Sequence, residues 1–231
     1  MQWLIDLFPN VAPRADEFYR SIIETLVLVG ITAVLSFVLS LTIGILLVVT
    51  RKGGLLSAPA FNQALGWIIN LFRSIPFIIL AAALVPITRA ISGTALGVQG
   101  AIFPLVIGIT PFFSRQMESA FLSIDPGLVE AAVSMGLSPV QIIWRVYFRE
   151  AIPNIAKVTT ITLVSLIGLS AISGSLGSGG LGDFAIRYGY QRFMFDATVA
   201  SVIVLLIMVG FIEFVGRTVI DATSREVQIS E

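Results

Sequence analysis

Cysteine and histidine are both missing from this 231-residue chain. Without a thiolate or an imidazole there is no disulfide framework, no thiolate metal site, no cysteine nucleophile and no histidine general base. An intramembrane serine–histidine protease is excluded on the same ground. Lysine is nearly absent as well, with Lys52 and Lys157 the only two. A phosphate-cradling loop of the form G-x-x-x-x-G-K-[ST] needs a lysine directly after glycine. Lys52 follows Arg51 and Lys157 follows Ala156, so neither belongs to such a loop. Any ATP chemistry must therefore come from another polypeptide. Charge is scarce in both signs: 12% of residues are charged, fourteen basic against fourteen acidic, which leaves no footprint for nucleic acid.

Apolar surface is what the chain has in quantity. Hydrophobic residues make up 56% and mean hydropathy is +0.96, the composition of an integral membrane protein. The N-terminal stretch 1–20 contains Asp6, Pro9, Pro13, Asp16 and Glu17 rather than a basic run before a short apolar one. No cleavable signal peptide is expected, and the first span would act as its own targeting signal.

A helix needs about 20 apolar residues to cross roughly 30 Å of hydrocarbon. Five spans satisfy that: 22–49, broken only by Glu24 and small polar residues; a kinked span from about Ile75, preceded by an amphipathic or tilted stretch from about Phe61; 101–122; about 155–172; and 197–212. Odd parity puts the termini on opposite sides, and the basic residues choose the orientation. With the N-terminus outside, Arg51, Lys52, Arg73, Arg115, Arg145, Arg149, Lys157, Arg217 and Arg225 fall inside, against Arg14, Arg20, Arg89, Arg187 and Arg192 outside. Nine against five favours an outside N-terminus and a cytoplasmic C-terminus. This predicts an extracytoplasmic segment 1–20, a transmembrane domain 21–217 and a cytoplasmic tail 218–231. The polar loop at about 123–154 is then cytoplasmic.

That loop carries more local signals than a connector needs. Asp125-Pro126 is a helix start, since Asp can accept from free backbone N–H groups and Pro suits the first helical position. Gly136 suits a helix end, because it takes the left-handed conformation cheaply. Ser138-Pro139-Val140-Gln141 is a capping box that starts a second short helix. The second helix brings Trp144, Tyr147 and Phe148 beside Arg145 and Arg149, a surface suited to a protein groove. An amphipathic pair resting on lipid headgroups is the alternative.

Within this loop, Glu130-Ala131-Ala132 followed by Gly136 resembles the cytoplasmic EAA motif of type I ABC-importer permeases. Two further segments are similar to the methionine permeases of that family: Arg73-Ser74-Ile75-Pro76-Phe77, and Leu176-Gly177-Ser178-Gly179-Gly180-Leu181-Gly182-Asp183 with Arg187-Tyr188-Gly189-Tyr190 after it. The likeness runs from about Ile22 to Arg217. One departure is visible: where family members commonly have Leu-Pro late in the loop, this chain has Phe148-Arg149, with a proline at Pro153. The resemblance implies an all-α permease in the cytoplasmic membrane of a bacterium, coupled through Glu130, Ala131, Ala132 and Gly136 to two separate ATP-binding subunits. ATP-Mg would sit on those subunits, and no cofactor on this chain. It further implies a homodimer in the lipid bilayer, fed with D- or L-methionine by an extracytoplasmic methionine-binding protein. Another small amino acid as cargo, a stand-alone channel or ion-driven carrier, and an anchor without transport activity are the alternatives.

Other polar residues divide between structural and functional readings. Span four is lined by small residues including Thr162, Ser165, Gly168, Ser170 and Ser173. Close helix packing accounts for most of them, and Ser165 and Ser170 are the candidates for lining a substrate route. Arg115 with Glu118, and Glu213 with Arg217, have the spacing of helical pairs. Arg73 has no local partner and either serves a gate or snorkels to the interface. The glycine-rich run 174–182 reads as a flexible outer loop.

Overall fold

The computed structural model describes residues 8–229, and every regular element among them is helical. Helix α1 (Ala15–Thr50) follows a single 3-10 turn at Ala12–Arg14. The others are α2 (Pro59–Ser74), α3 (Phe77–Ser92), α4 (Gly97–Leu122), α5 (Pro126–Ser134), α6 (Pro139–Ile142), α7 (Phe148–Gly174), α8 (Gly180–Phe184) and α9 (Phe195–Ile229). Four helical stretches are long and apolar enough to cross a membrane, and the pair α2 and α3, bent by 106° at its break, makes a fifth if counted as one broken span. The break falls at Ile75-Pro76, where the residue before proline is pushed out of the helical region.

The chain divides into two compact units. The first comprises residues up to 35, 75–109 and 163–212. Its α1 segment begins at Ala15, earlier than the expected Ile22, because the acidic residues near its start have partners within this unit. Tyr188 donates to Glu17 (2.7 Å), and the Gly180 backbone N–H donates to Glu24 (2.9 Å). Phe184, Tyr188, Val11, Ala197 and Ala200 form a buried cluster beside them. The glycine-rich run belongs here: residues 175–177 form an exposed turn, as a loop reading expects, but its second half is packed. Gly180, Leu181, Gly182 and Phe184 are buried, and a Cβ on Gly182 would collide with the backbone of Ala171. Absent side chains let two backbones touch, which is why the sequence there is glycine.

The second unit comprises residues 36–74, 110–162 and 213 onward. Thr50 ends α1, and Gly53 in the left-handed region (φ +78°) turns the chain. Asn62 of α2 then closes the helix end, donating to the Leu47 carbonyl (2.7 Å) and to Thr50 Oγ1 (3.0 Å). Gly44 lets α1 approach α4 so closely that a Cβ there would lie 2.5 Å from that of Met117. Arg115 pairs with Glu118 (2.7 Å), as its spacing predicts, and also donates to the Gly66 carbonyl and to Asn70 (3.2 Å each), fastening α4 to α2. Glu213 and Arg217 are also neighbours, at 3.9 Å.

Two further boundaries differ from the sequence reading. The second short helix of the loop does not stop before span four. Pro139–Gly174 is one continuous helical stretch, joined by a π-helical turn at Ile143–Tyr147. There the Phe148 N–H reaches back to the Ile143 carbonyl, so one extra residue is absorbed without breaking the helix. At the other end, α9 continues to Ile229, so most of the expected tail 218–231 prolongs the last helix.

Candidate coupling site

The loop between α4 and α7 is built from the backbone outward. Asp125 accepts from the Gly127 N–H (2.8 Å) with Pro126 in the first position, which satisfies the free start of α5. At its far end the Gly136 N–H meets the Val133 carbonyl (2.9 Å) and the Leu137 N–H meets the Ala132 carbonyl (3.2 Å). With Gly136 at φ +77°, these two bonds form a Schellman closure. The next helix starts at once: Ser138 N–H donates to Gln141 Oε1 (2.9 Å) and Gln141 N–H to Ser138 Oγ (3.4 Å), the expected capping box. Both ends of α5 are thus fixed by hydrogen bonds rather than left to fray.

Packing then decides which face is offered. Ala132 is buried to 2% in a cluster with Ile45, Val48, Phe121, Ile124, Ile142 and Tyr147, and Leu137 packs against that cluster. Burying a side chain such as Ile142 away from water contributes about 1.5–3 kcal/mol. Glu130, Ala131 and Gly136 are exposed. The same surface carries Val133, Met135, Val140 and Trp144, exposed by 52–73%. Exposed apolar side chains grouped on one rigid motif mark a docking surface. Of the four residues of the motif, Ala132 therefore faces the core and the other three face outward.

The aromatic part of the expected surface is smaller than its spacing suggested. Tyr147 is buried and sits edge-on to Phe121 (6.3 Å), and Phe148 is also edge-on to Phe121 (5.4 Å). Trp144 alone projects, stacked on Phe148 at 4.8 Å. The π-helical turn shifts the phase of the helix and turns Tyr147 inward. Beside α5 lies a cleft of about 690 Å3, bordered by Arg51, Gly53, Glu130, Ser134 and Tyr147.

The remaining candidates are dispersed. Ser165 is exposed on α7, whereas Ser170 is buried and donates to the Ile167 carbonyl (2.7 Å). Arg73 is exposed in the last turn of α2 and makes no salt bridge among the described residues. What sequence reasoning missed is the charged recess of the first unit, about 520 Å3, lined by Asp16, Glu17, Arg20, Glu24, Asp183 and Arg187. Arg187 pairs with Glu17 (2.7 Å) and Asp183 (2.8 Å), and Arg20 with Glu24 (3.0 Å). Glu24 inside an apolar run was the one signal for it.

The described residues thus form a multi-span helical membrane protein that holds a doubly capped, partly apolar helix outside its candidate spans. This chain belongs to the family of binding-protein-dependent transport system inner membrane components, whose model matches residues 40–228. It is 44% identical over 209 residues to the probable D-methionine transport system permease protein MetI of Vibrio cholerae, covering 90% of this chain and 93% of the relative. It is 40% identical over the same length to the methionine import system permease protein MetP of Bacillus subtilis, again 90% and 93% covered. Its fold is similar to a chain of the inward-facing MetNI methionine ABC transporter, with a TM-score of 0.89 at 39% identity, covering 91% of this chain and 98% of that one.

Proposed function

We propose that this chain is the permease subunit of an ATP-driven methionine importer. The observation that carries the reading is a fixed docking helix: α5 is anchored by Ala132 in the core, closed by Gly136, and leaves Glu130 and Ala131 exposed. Relatives named as methionine permeases, similar over nine-tenths of the chain, supply the cargo.

In this reading the N-terminus is extracytoplasmic and the 123–154 region faces the cytoplasm, as the basic-residue count favours. Two ATP-binding subunits dock there, and Mg-ATP is bound and hydrolysed on them. Two copies of this chain enclose the route, because five spans are few for one chain to surround a zwitterion that hydrocarbon would reject. A methionine-binding protein delivers substrate from outside. Movement of the ATPase subunits pulls on α5, and a helix fixed at both ends transmits that pull instead of unravelling. Ser165 and Ser170 are proposed to border the route and Arg73 to serve a gate.

The test is to purify the chain with its co-eluting subunits, reconstitute the complex with its binding protein, and measure ATP turnover against a panel of amino acids. Stimulation by methionine above the others is expected. A complex that hydrolyses no ATP, or answers another amino acid better, would overturn the reading.

A further inference from the structure

Residues 190–195, which lead from a second π-helical turn at Ala185–Tyr190 into α9, expose three aromatic rings together. Tyr190 is 75%, Phe193 90% and Phe195 77% exposed. Phe193 is the single non-glycine residue at positive φ (+58°) among those described, a conformation that bulky L-residues avoid. Nothing packs that ring inward to repay the strain, so the backbone is bent to present it outward.

The turn is nevertheless firmly held. Met194 between the two phenylalanines packs against the Phe184–Tyr188 cluster, and its N–H donates to the Tyr188 carbonyl (3.2 Å). Asn10 binds both carboxylate oxygens of Asp196 (2.8 and 2.9 Å). Phe193 and Phe195 therefore point away from the protein while the residue between them anchors it. Arg192 is exposed and lies over the Tyr188 ring at 4.8 Å.

Continuity with α9 says what covers these rings. Its first 29 residues have a mean hydropathy of 2.6 in their most apolar window, and Val202, Leu206 and Phe211 are exposed along it. From Phe195 to the exposed Phe214 the helix rises about 29 Å, close to the thickness of the hydrocarbon layer. Between Asp196 and Glu213 the stretch 197–212 carries no charge, and aromatic rings stand at both of its ends, where amphipathic and aromatic side chains settle at the headgroup boundary.

We propose that the 190–195 turn is a membrane-interface anchor: Phe193 and Phe195 insert at the acyl–headgroup boundary, Tyr190 sits in the headgroup layer, and Arg192 faces lipid phosphate. The anchor rests on α9 crossing the bilayer and not on the identity of the cargo. It fixes the depth of the last span and leaves the adjoining charged recess on the aqueous side.

Because the chain has no cysteine, Phe193→Cys and Tyr190→Cys each create one labelling site on it. Each variant, in the whole complex with ATPase subunits lacking exposed thiols, is spin-labelled and placed in vesicles of phosphatidylethanolamine and phosphatidylglycerol. The label at 193 should collide with oxygen more often than with a water-soluble nickel chelate, and the label at 190 should lie shallower. Equal or greater access of the nickel chelate at 193 would overturn the anchor. So would protection from both agents that appears only when the binding protein is added, which would make the turn a protein contact. Methionine-stimulated ATP turnover of the same samples reports separately on the permease reading.

Discussion

Gly136 stands at φ +77° with open space where a Cβ would go, so substitutions there report on backbone conformation and not on crowding. Gly136→Ala is expected to destabilise the helix end by about 1 kcal/mol. Gly136→Pro does more, since it fixes φ near −65° and removes the N–H that meets Val133. Uptake of labelled methionine by vesicles containing this variant should be lost, by uncoupling or failed assembly, and unchanged uptake would count against the coupling role. Ala132 tests the opposite property. It is buried to 2%, so Ala132→Leu should cost about 1–3 kcal/mol of stability by overpacking, read as a lower melting temperature of the purified complex. Exposed Glu130 should tolerate replacement by alanine without such a loss, and Glu130→Ala then separates coupling from folding.

At the scale of elements, the short-range signals were legible and the long-range ones were not. Asp125-Pro126, Gly136 and Ser138–Gln141 each act on backbone groups within two to five residues, so the pattern that predicts the cap also makes it. Spans were legible because length and hydropathy are local too. The π-helical turn at Ile143–Tyr147 was hidden, since one extra residue leaves no compositional mark. The packing of the second half of the glycine-rich run was hidden for a different reason. Its partners Glu24 and Thr25 lie 156 residues away, and only the fold brings them to Gly180 and Leu181. This yields a prediction: Thr25→Ala leaves the buried Leu181 N–H without its acceptor, now 2.9 Å away, which should lower stability by about 1–3 kcal/mol. Gly182→Val should be worse, because the Ala171 backbone occupies the space a side chain needs. Thermal unfolding of the detergent-solubilised complex compares the two, and a Gly182→Val melting point equal to wild type would refute the close-packed clamp.

For the molecule as a whole, the decisive fact is an asymmetry between what the chain contains and what its work requires. Concentrating a zwitterion across a bilayer needs an energy source, yet the chain lacks a lysine placed for phosphate binding. In the proposed function the docking helix receives work done elsewhere, and that reading requires the helix to lie on the side where ATP is found. Topology is therefore the most exposed part of the scheme. The absence of native cysteine makes it directly measurable: Ser134→Cys and Ser138→Cys place single thiols at exposed positions beside the Schellman closure. A membrane-impermeant maleimide should leave both unmodified in intact cells. In inside-out vesicles stripped of ATPase subunits it should modify them, and rebinding those subunits should protect them again. Modification from outside intact cells would place the helix where no ATPase can reach it.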